Sequence, residues 1–524
     1  MNTHSQAHAG PEGSVTRVHL PDGVTQRVRY DGEKRRASVT DGEGKTIRYV
    51  YGECDLLLAV IRPDGQTLRF DYDSLTRLKQ VTRPQGETYH FERDAAGQVI
   101  SETDFTGRRV TYGYDAAGRR TEACHPDGRI IRWHYSLRDE LVRQDIWQST
   151  ETLPTLLATT HYAWDMQGRM VQAQNEDARV EFEFDEAGHL VCERLNGQAV
   201  THQWDEQSHR VVSRESGGVA LSYEYDIAGR IAKMQAGDFS PLLREYDARG
   251  QERRRYSAAG FSLTQDYSPT GMLLAQTAGA DTVNRRWQYD GAYNVRNIED
   301  TRWGTSQYRY NQNDQIIHAE QRGIQPLLEL FSYDDNLNLS EQCFREGAHD
   351  RLPERITQEQ SAGRVVRRGG SVYRYDSAGR LIEKRTERPG YRPQVWQYRW
   401  NAHSQLSGLI TPDNNRWHYA YDPFGRRISK RCEGQSGGYS YLWSADQMIA
   451  ETPVYADGTP AYEERVQWLF EPEALTPVAR HAKGKLHYVV SDHAVQSRER
   501  VTDTAAWQRQ TSLVPGLRKY LLFA

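Results

Sequence analysis

The chain has 524 residues, a formal net charge of −4 and a pI near 6.5, a balance that excludes the one-sided positive footprint of a nucleic-acid or anionic-membrane binder. Only 37% of residues are hydrophobic, yet there are 31 Tyr and 12 Trp, so burial must lean on aromatic rings, as it does in sheets more than in helical bundles. Of the 67 basic residues 58 are Arg, which can stack on those rings and pair with carboxylates.

Residues 1–13 read as a polar tail with no apolar core of a secretory signal. The longest apolar run, 56–61, is far too short to span a bilayer. From residue 14 a period governs the chain. Gly23, Gly44, Gly65, Gly86, Gly107 and Gly128 follow one another at steps of 21. A second series carries Tyr-Asp: Tyr30-Asp31, Tyr72-Asp73, Tyr114-Asp115, Tyr225-Asp226, Tyr246-Asp247, Tyr289-Asp290, Tyr333-Asp334, Tyr375-Asp376 and Tyr421-Asp422, with variants such as Trp164-Asp165, Phe184-Asp185 and Trp400-Asn401 between them.

Each period predicts strand, turn, strand, turn. A second ring commonly stands two residues before the first, as in Phe70/Tyr72 and Tyr373/Tyr375, which places both on one strand face. The Asp opens a turn that a Gly closes three positions later, as in Asp115/Gly118 and Asp422/Gly425. The other turn is often Pro-Asp-Gly, as at Pro21-Asp22-Gly23. The reading is all-β: antiparallel hairpin repeats of about 21 residues, joined edge to edge into a long ribbon that twist forces to curl. The ribbon covers 14–430, with an insertion at 137–160 and a degenerate repeat at 341–370, each read as a surface excursion or a short helix. Residues 431–503 form a further β region, and 504–524 a divergent tail.

No motif rises to a catalytic, cofactor-binding or metal site. Gly42-Glu-Gly-Lys-Thr46 hints at a phosphate loop, but Val39 stands where the pattern needs its first glycine, and Gly44 belongs to the repeat series. Asp334, Asn336 and Asn338 have calcium-loop spacing, but Leu339 and Arg345 occupy the positions of its glycine and its bidentate Glu. His481, His487 and His493 lie near Asp492 without a recognised zinc frame. Cys54, Cys124, Cys192, Cys343 and Cys432 are dispersed and odd in number, which suits free thiols in a reducing compartment. The recurring rings either pack the ladder or stack on sugars; their presence in nearly every repeat favours packing.

Segments such as Tyr114-Asp-Ala-Ala-Gly-Arg119 and Tyr421-Asp-Pro-Phe-Gly-Arg426 resemble the YD repeats of the Rhs family, which includes insecticidal toxin-complex shells and teneurins. Phe470-Glu-Pro-Glu-Ala-Leu-Thr-Pro-Val-Ala-Arg480 is similar to the segment that follows the repeats in bacterial Rhs cores. The resemblance implies a partial shell wound from a β ribbon, in relatives enclosing a C-terminal toxin often delivered by type VI secretion. It also implies a self-cleaving DPxGL-like segment, which this sequence lacks; its one Asp-Pro, Asp422-Pro423, falls in a repeat turn. The expectation is a non-enzymatic shell fragment without toxin or cofactor. Its expected partners are a toxin domain, a secretion spike or adaptor, or a complementary shell chain, with self-association through open strand edges. Its expected place is the bacterial cytoplasm, with export by a route that needs no signal peptide. The alternative is a surface or secreted carbohydrate-binding adhesin.

Overall fold

A computed structural model describes residues 6–9, 13–279, 283–324, 326–347, 352–361, 363–434, 437–491, 497–502 and 507–509. Among them are 47 strands, and each pairs antiparallel with the strand before it and the strand after it in sequence, from Gln6–Ala9 to Trp507–Arg509. The only helical pieces among the described residues are two three-residue 3-10 turns, Glu53–Asp55 and Tyr462–Glu464. The all-β hairpin ladder read from the period is the observed fold.

The repeat explains itself at Asp115. Its Oδ1 accepts the backbone N–H groups of Ala117 (3.0 Å) and Arg119 (2.9 Å), and its Oδ2 accepts Nε of Arg119 at 2.7 Å. Gly118, at φ +82°, supplies the left-handed residue that closes the turn. Tyr114 sits at a bulge, where the register slips between Gly113 and Tyr114, and the bulge bends the strand toward the turn. The Tyr114 hydroxyl donates to the carbonyl of Val99, 15 residues earlier, at 2.8 Å. Arg119 lies 4.9 Å over the ring of Tyr135, in the following repeat. The same hydroxyl bond joins Tyr72 to Leu57, Tyr246 to Ile231 and Tyr421 to Leu406. Each ring therefore ties its repeat to the one before, and each Arg ties its own to the one after.

Two sequence expectations need correction. The stretch 137–160 is neither helix nor excursion. It lengthens the ladder with strands Leu141–Gln148 and Thr155–Trp164, the second ending at the Trp164-Asp165 turn, and Ala158 and Thr160 alternate into the interior. The stretch 341–370 is likewise strand, in Leu339–Glu346, Glu354–Ser361 and Arg364–Arg368. Within the N-terminal tail, Gln6–Ala9 pairs with Val15–His19 as the first strand. The C-terminal tail contributes Trp507–Arg509.

The ribbon winds on itself. Contacts outside the ladder join residues about 250 apart: Asp22 with Thr270 (248), Asp64 with Asn313 (249), Asn175 with Tyr421 (246) and Ser240 with Tyr488 (248). With a 21-residue repeat, one coil takes about twelve hairpins, so the chain makes roughly two coils. Over residues 14–172 and 288–421 few side chains are buried, and the wall is one sheet thick. Over 178–278 and 428–490 the two coils share hydrophobic cores. One unites Val180, Leu195 and Val200 with Ile428, Leu442 and Phe470; the other unites Leu221, Tyr223 and Phe261 with Leu469, Tyr488 and Val490.

Candidate functional site

A hairpin ribbon has two edges of turns, and the two turn series of the sequence separate onto them. Glycine turns (Pro21-Asp22-Gly23 and its kin) line one edge and Tyr-Asp turns the other. Winding brings the glycine edge of the first coil against the Tyr-Asp edge of the second, and this seam is the most elaborated polar feature of the molecule.

At its start, Asp22 Oδ2 accepts the hydroxyls of Thr270 (2.8 Å) and Tyr293 (2.9 Å). Burial alone would raise the Asp22 carboxyl; the two hydroxyl donors and the backbone N–H groups of its own turn together outweigh it and hold the pKa below the usual value. Burial and the Asp22 carboxylate push the Tyr293 hydroxyl up to about 12. The phosphate-loop-like segment comes next. Glu43 Oε1 accepts the N–H of Gly291 at 2.5 Å, and Lys45 Nζ meets Asp314 Oδ1 at 2.5 Å. Gly42 touches Gly291 so closely that a Cβ on it would lie 2.2 Å from the Gly291 carbonyl oxygen. The segment seals a wall; its charged groups are spent on protein partners.

The calcium-loop-like trio is a turn of the opposite series. Asp334 Oδ1 accepts N–H from Asn336 (2.9 Å) and Asn338 (2.8 Å), while the Asn336 amide crosses the seam to Glu87 (2.7 Å) and Gln85 (3.1 Å). Further along, Arg129 donates to the Ala402 carbonyl at 2.6 Å and Arg108 to that of Ala378, while Arg380 pairs with Asp127 at 3.3 Å.

Where the coils begin to share cores, the seam becomes buried and ionic. Arg426 Nη1 reaches Glu193 Oε1 at 2.7 Å and its Nε reaches Asp422 Oδ2 at 2.5 Å; Glu193 Oε2 also accepts the N–H of Ala445 at 2.9 Å. Burial pushes the Arg426 guanidinium down, but Glu193 and Asp422 reverse this and leave its pKa raised. Asp422 thus opens its turn and anchors an inter-coil ion cluster. The segment from Phe470 then clasps the first coil. The Tyr223 hydroxyl donates to the Phe470 carbonyl (2.8 Å). Gln447 Nε2 donates to the carbonyls of Glu471 (2.7 Å) and Ala474 (2.6 Å), while its Oε1 accepts from Arg214 (2.7 Å). Arg244 pairs with Glu471.

His481 and His487 fall on neighbouring strands, opposite Leu486 and Arg480 respectively; Asp492 and His493 lie outside the described residues. Among the described residues no three His, Cys, Asp or Glu side chains form a metal-sized group. Cys192 and Cys432 are buried, Cys54 is exposed, and all five thiols are free. Sequence reasoning missed the seam residues Asp22, Glu193, Tyr293 and Gln447. Partners some 250 positions apart leave no local signal. The one hint was polar excess at turn tips, such as Asn313 and Asn336, where a turn alone asks for nothing special.

Fold and seam define a coiled β-hairpin repeat protein of the shell-scaffold type. Comparison with known proteins agrees. The Teneurin YD-shell model matches residues 12–100 and 292–441, and the RHS Repeat model matches 93–130. Probable deoxyribonuclease RhsA of Dickeya dadantii is 33% identical over 270 residues, which is 50% of this chain and 18% of that protein. Toxin protein Tse5 of Pseudomonas aeruginosa is 26% identical over 349 residues, 58% of this chain and 26% of that protein. The crystal structure of TcdB2-TccC3-Cdc42 superposes with a TM-score of 0.68 at 13% identity, over 96% of this chain and 32% of that chain. Another, TcdB2-TccC3 without its hypervariable C-terminal region, gives 0.67 at 12% identity, over 96% and 31%. The chain is a YD-repeat protein of the Rhs type, spanning about a fifth of the length of the RhsA relative and about a third of the solved chains it matches.

Proposed function

We propose that this chain is a non-enzymatic wall segment of an Rhs-type toxin-delivery shell. The observation that carries the reading is the seam: side chains of one turn series close against the opposite series a full coil away, which is what a ribbon needs to become a continuous wall. The polar groups that look catalytic in sequence, at Gly42–Thr46, Asp334–Asn338 and Asp422, are engaged in turns and in the seam. The relatives include a probable deoxyribonuclease and a toxin protein, and this chain corresponds to a minor part of each. Its partners, on this reading, are a toxin domain, a secretion adaptor or a complementary shell chain, and its route out of a bacterium is type VI secretion. No helix among the described residues is long and apolar enough to cross a membrane. No specific observation favours the carbohydrate-binding alternative, because the recurring hydroxyls and ring faces are already taken by carbonyls and arginines of adjacent repeats.

Small-angle scattering tests the wall. A straight ladder of 47 strands would be about 220 Å long, whereas a coil of some twelve hairpins is roughly 35 Å across. A maximum dimension near the straight value defeats the reading. Cleavage of DNA by the purified chain, or death of a bacterial host expressing it, defeats the non-enzymatic part.

A further inference from the structure

Among the described residues, the seam joins the glycine edge of the first coil to the Tyr-Asp edge of the second, and the other edge of each coil meets no opposing turn series. The free rim of the first coil consists of Tyr-Asp turns with the same backbone geometry as those buried in the seam. Asp31, Asp73, Asp165 and Asp226 cap their turns as Asp422 does. Their tips differ. Leu137 and Ile227 are wholly exposed, Met166 is 82% exposed and Leu75 is 64% exposed. Leu137 and Met166 belong to neighbouring turns and, with Trp164, line a groove of about 620 Å³ between them. The free rim of the second coil consists of glycine turns, and it too projects rings, with Tyr391 77% and Tyr455 53% exposed. Isolated exposed apolar side chains need no explanation, but a row of them along a geometrically defined edge marks an interaction surface.

We propose that a second copy of the chain docks end to end, the glycine-turn rim of one coil seating on the Tyr-Asp rim of the next. The proposal rests on the wound-wall reading and extends it. The argument is continuity: one interface of glycine turns on Tyr-Asp turns is already built inside the molecule, and the two free rims are its two halves. The surfaces are heterologous, so association does not stop at a dimer but adds copies along the coil axis. The contact uses turns, and it leaves the outermost strand Gln6–Ala9 out of the interface.

The experiment is sedimentation of the full chain and three variants over a wide concentration range. Wild type is expected to form concentration-dependent oligomers. Leu137→Lys with Met166→Lys spoils the Tyr-Asp rim, and Tyr391→Lys with Tyr455→Lys spoils the glycine rim. Each double variant is expected to sediment as a monomer alone, and the two mixed are expected to give a 1:1 dimer that grows no further. His8→Pro, which blocks pairing at the outermost strand, is expected to associate like wild type. All these positions are exposed, and circular dichroism checks that folding is retained. A wild-type monomer at the highest concentration overturns the proposal. So does association unchanged in the rim variants, or association lost through His8→Pro. Scattering from the dilute monomer separates the two failures: an extended ribbon there refutes the wall itself, whereas a coil that never associates refutes end-to-end docking alone.

Discussion

Arg426 of the second coil and Glu193 of the first, 233 positions apart, meet at 2.7 Å with the Glu193 side chain 1% exposed. Few buried ion pairs are needed to fix the phase of a coil, since one correct pairing sets every turn that follows. Asp422 completes the cluster from the same turn as Arg426.

Removing the cation should therefore cost more than removing an ordinary surface charge. Arg426→Met leaves Glu193 and Asp422 buried and uncompensated, and is expected to destabilise by about 3–5 kcal/mol. Chemical denaturation checks this, with Arg35→Met at a half-exposed turn as the control, expected to cost well under half as much.

The Tyr-to-carbonyl bonds predict a graded series. Tyr225 donates to the Val211 carbonyl at 2.7 Å. Tyr225→Phe keeps the ring and is expected to cost about 0.5–1.5 kcal/mol. Tyr225→Ala also removes the face on which Arg210 stacks, and is expected to cost more than twice that. Equal losses in the two variants would show that the hydroxyl, not the ring, holds the repeat.

Two glycines separate seam from rim. At Gly42 a Cβ would run into Gly291, while at Gly32, on the free rim, it would meet nothing within 4 Å. Neither has a positive φ, so space alone distinguishes them. Gly42→Ala is expected to destabilise by about 1–3 kcal/mol, and Gly32→Ala to leave stability within about 0.5 kcal/mol. Thermal melts of the two variants read the difference.

His202 gives the coil an acid sensitivity. Burial first, and then the neighbouring Arg214, lower its pKa from 6.5 to about 4. A folded pKa below the unfolded one means that the unfolded chain takes the proton first. Its contribution to stability is whole above pH 6.5 and is lost as pH falls toward 4, by up to about 3 kcal/mol. His202→Gln should flatten the denaturation midpoint between pH 6.5 and 4. An unchanged slope would show that other groups dominate that window.

How far the sequence reaches can be judged at single residues. Asp115, Gly118 and Tyr114 announced their turn and strand because each acts within a few positions, and the period repeated the message along the chain. The strands at Leu141–Gln148 and Thr155–Trp164 were missed because no glycine turn stands between them, and burial alternates only faintly through Ala158 and Thr160. The seam was illegible. Asp22 reads as the middle of a Pro-Asp-Gly turn, and nothing near it says that its free oxygen serves Thr270 and Tyr293. That information lies in the winding, which follows from the summed twist of some twenty hairpins and from no one of them.

Over the thin part of the wall, coil is held to coil by side chains from turns such as Asn336 and Arg129, while strand is held to strand by backbone. The two kinds of attachment can therefore fail separately. Coils can part along that seam while no strand loses its neighbour, and the wall can loosen like an unwinding watch spring with every hairpin intact. The cored stretch, where Tyr223 holds Phe470 and Arg426 holds Glu193, is then the clip that keeps the spring wound.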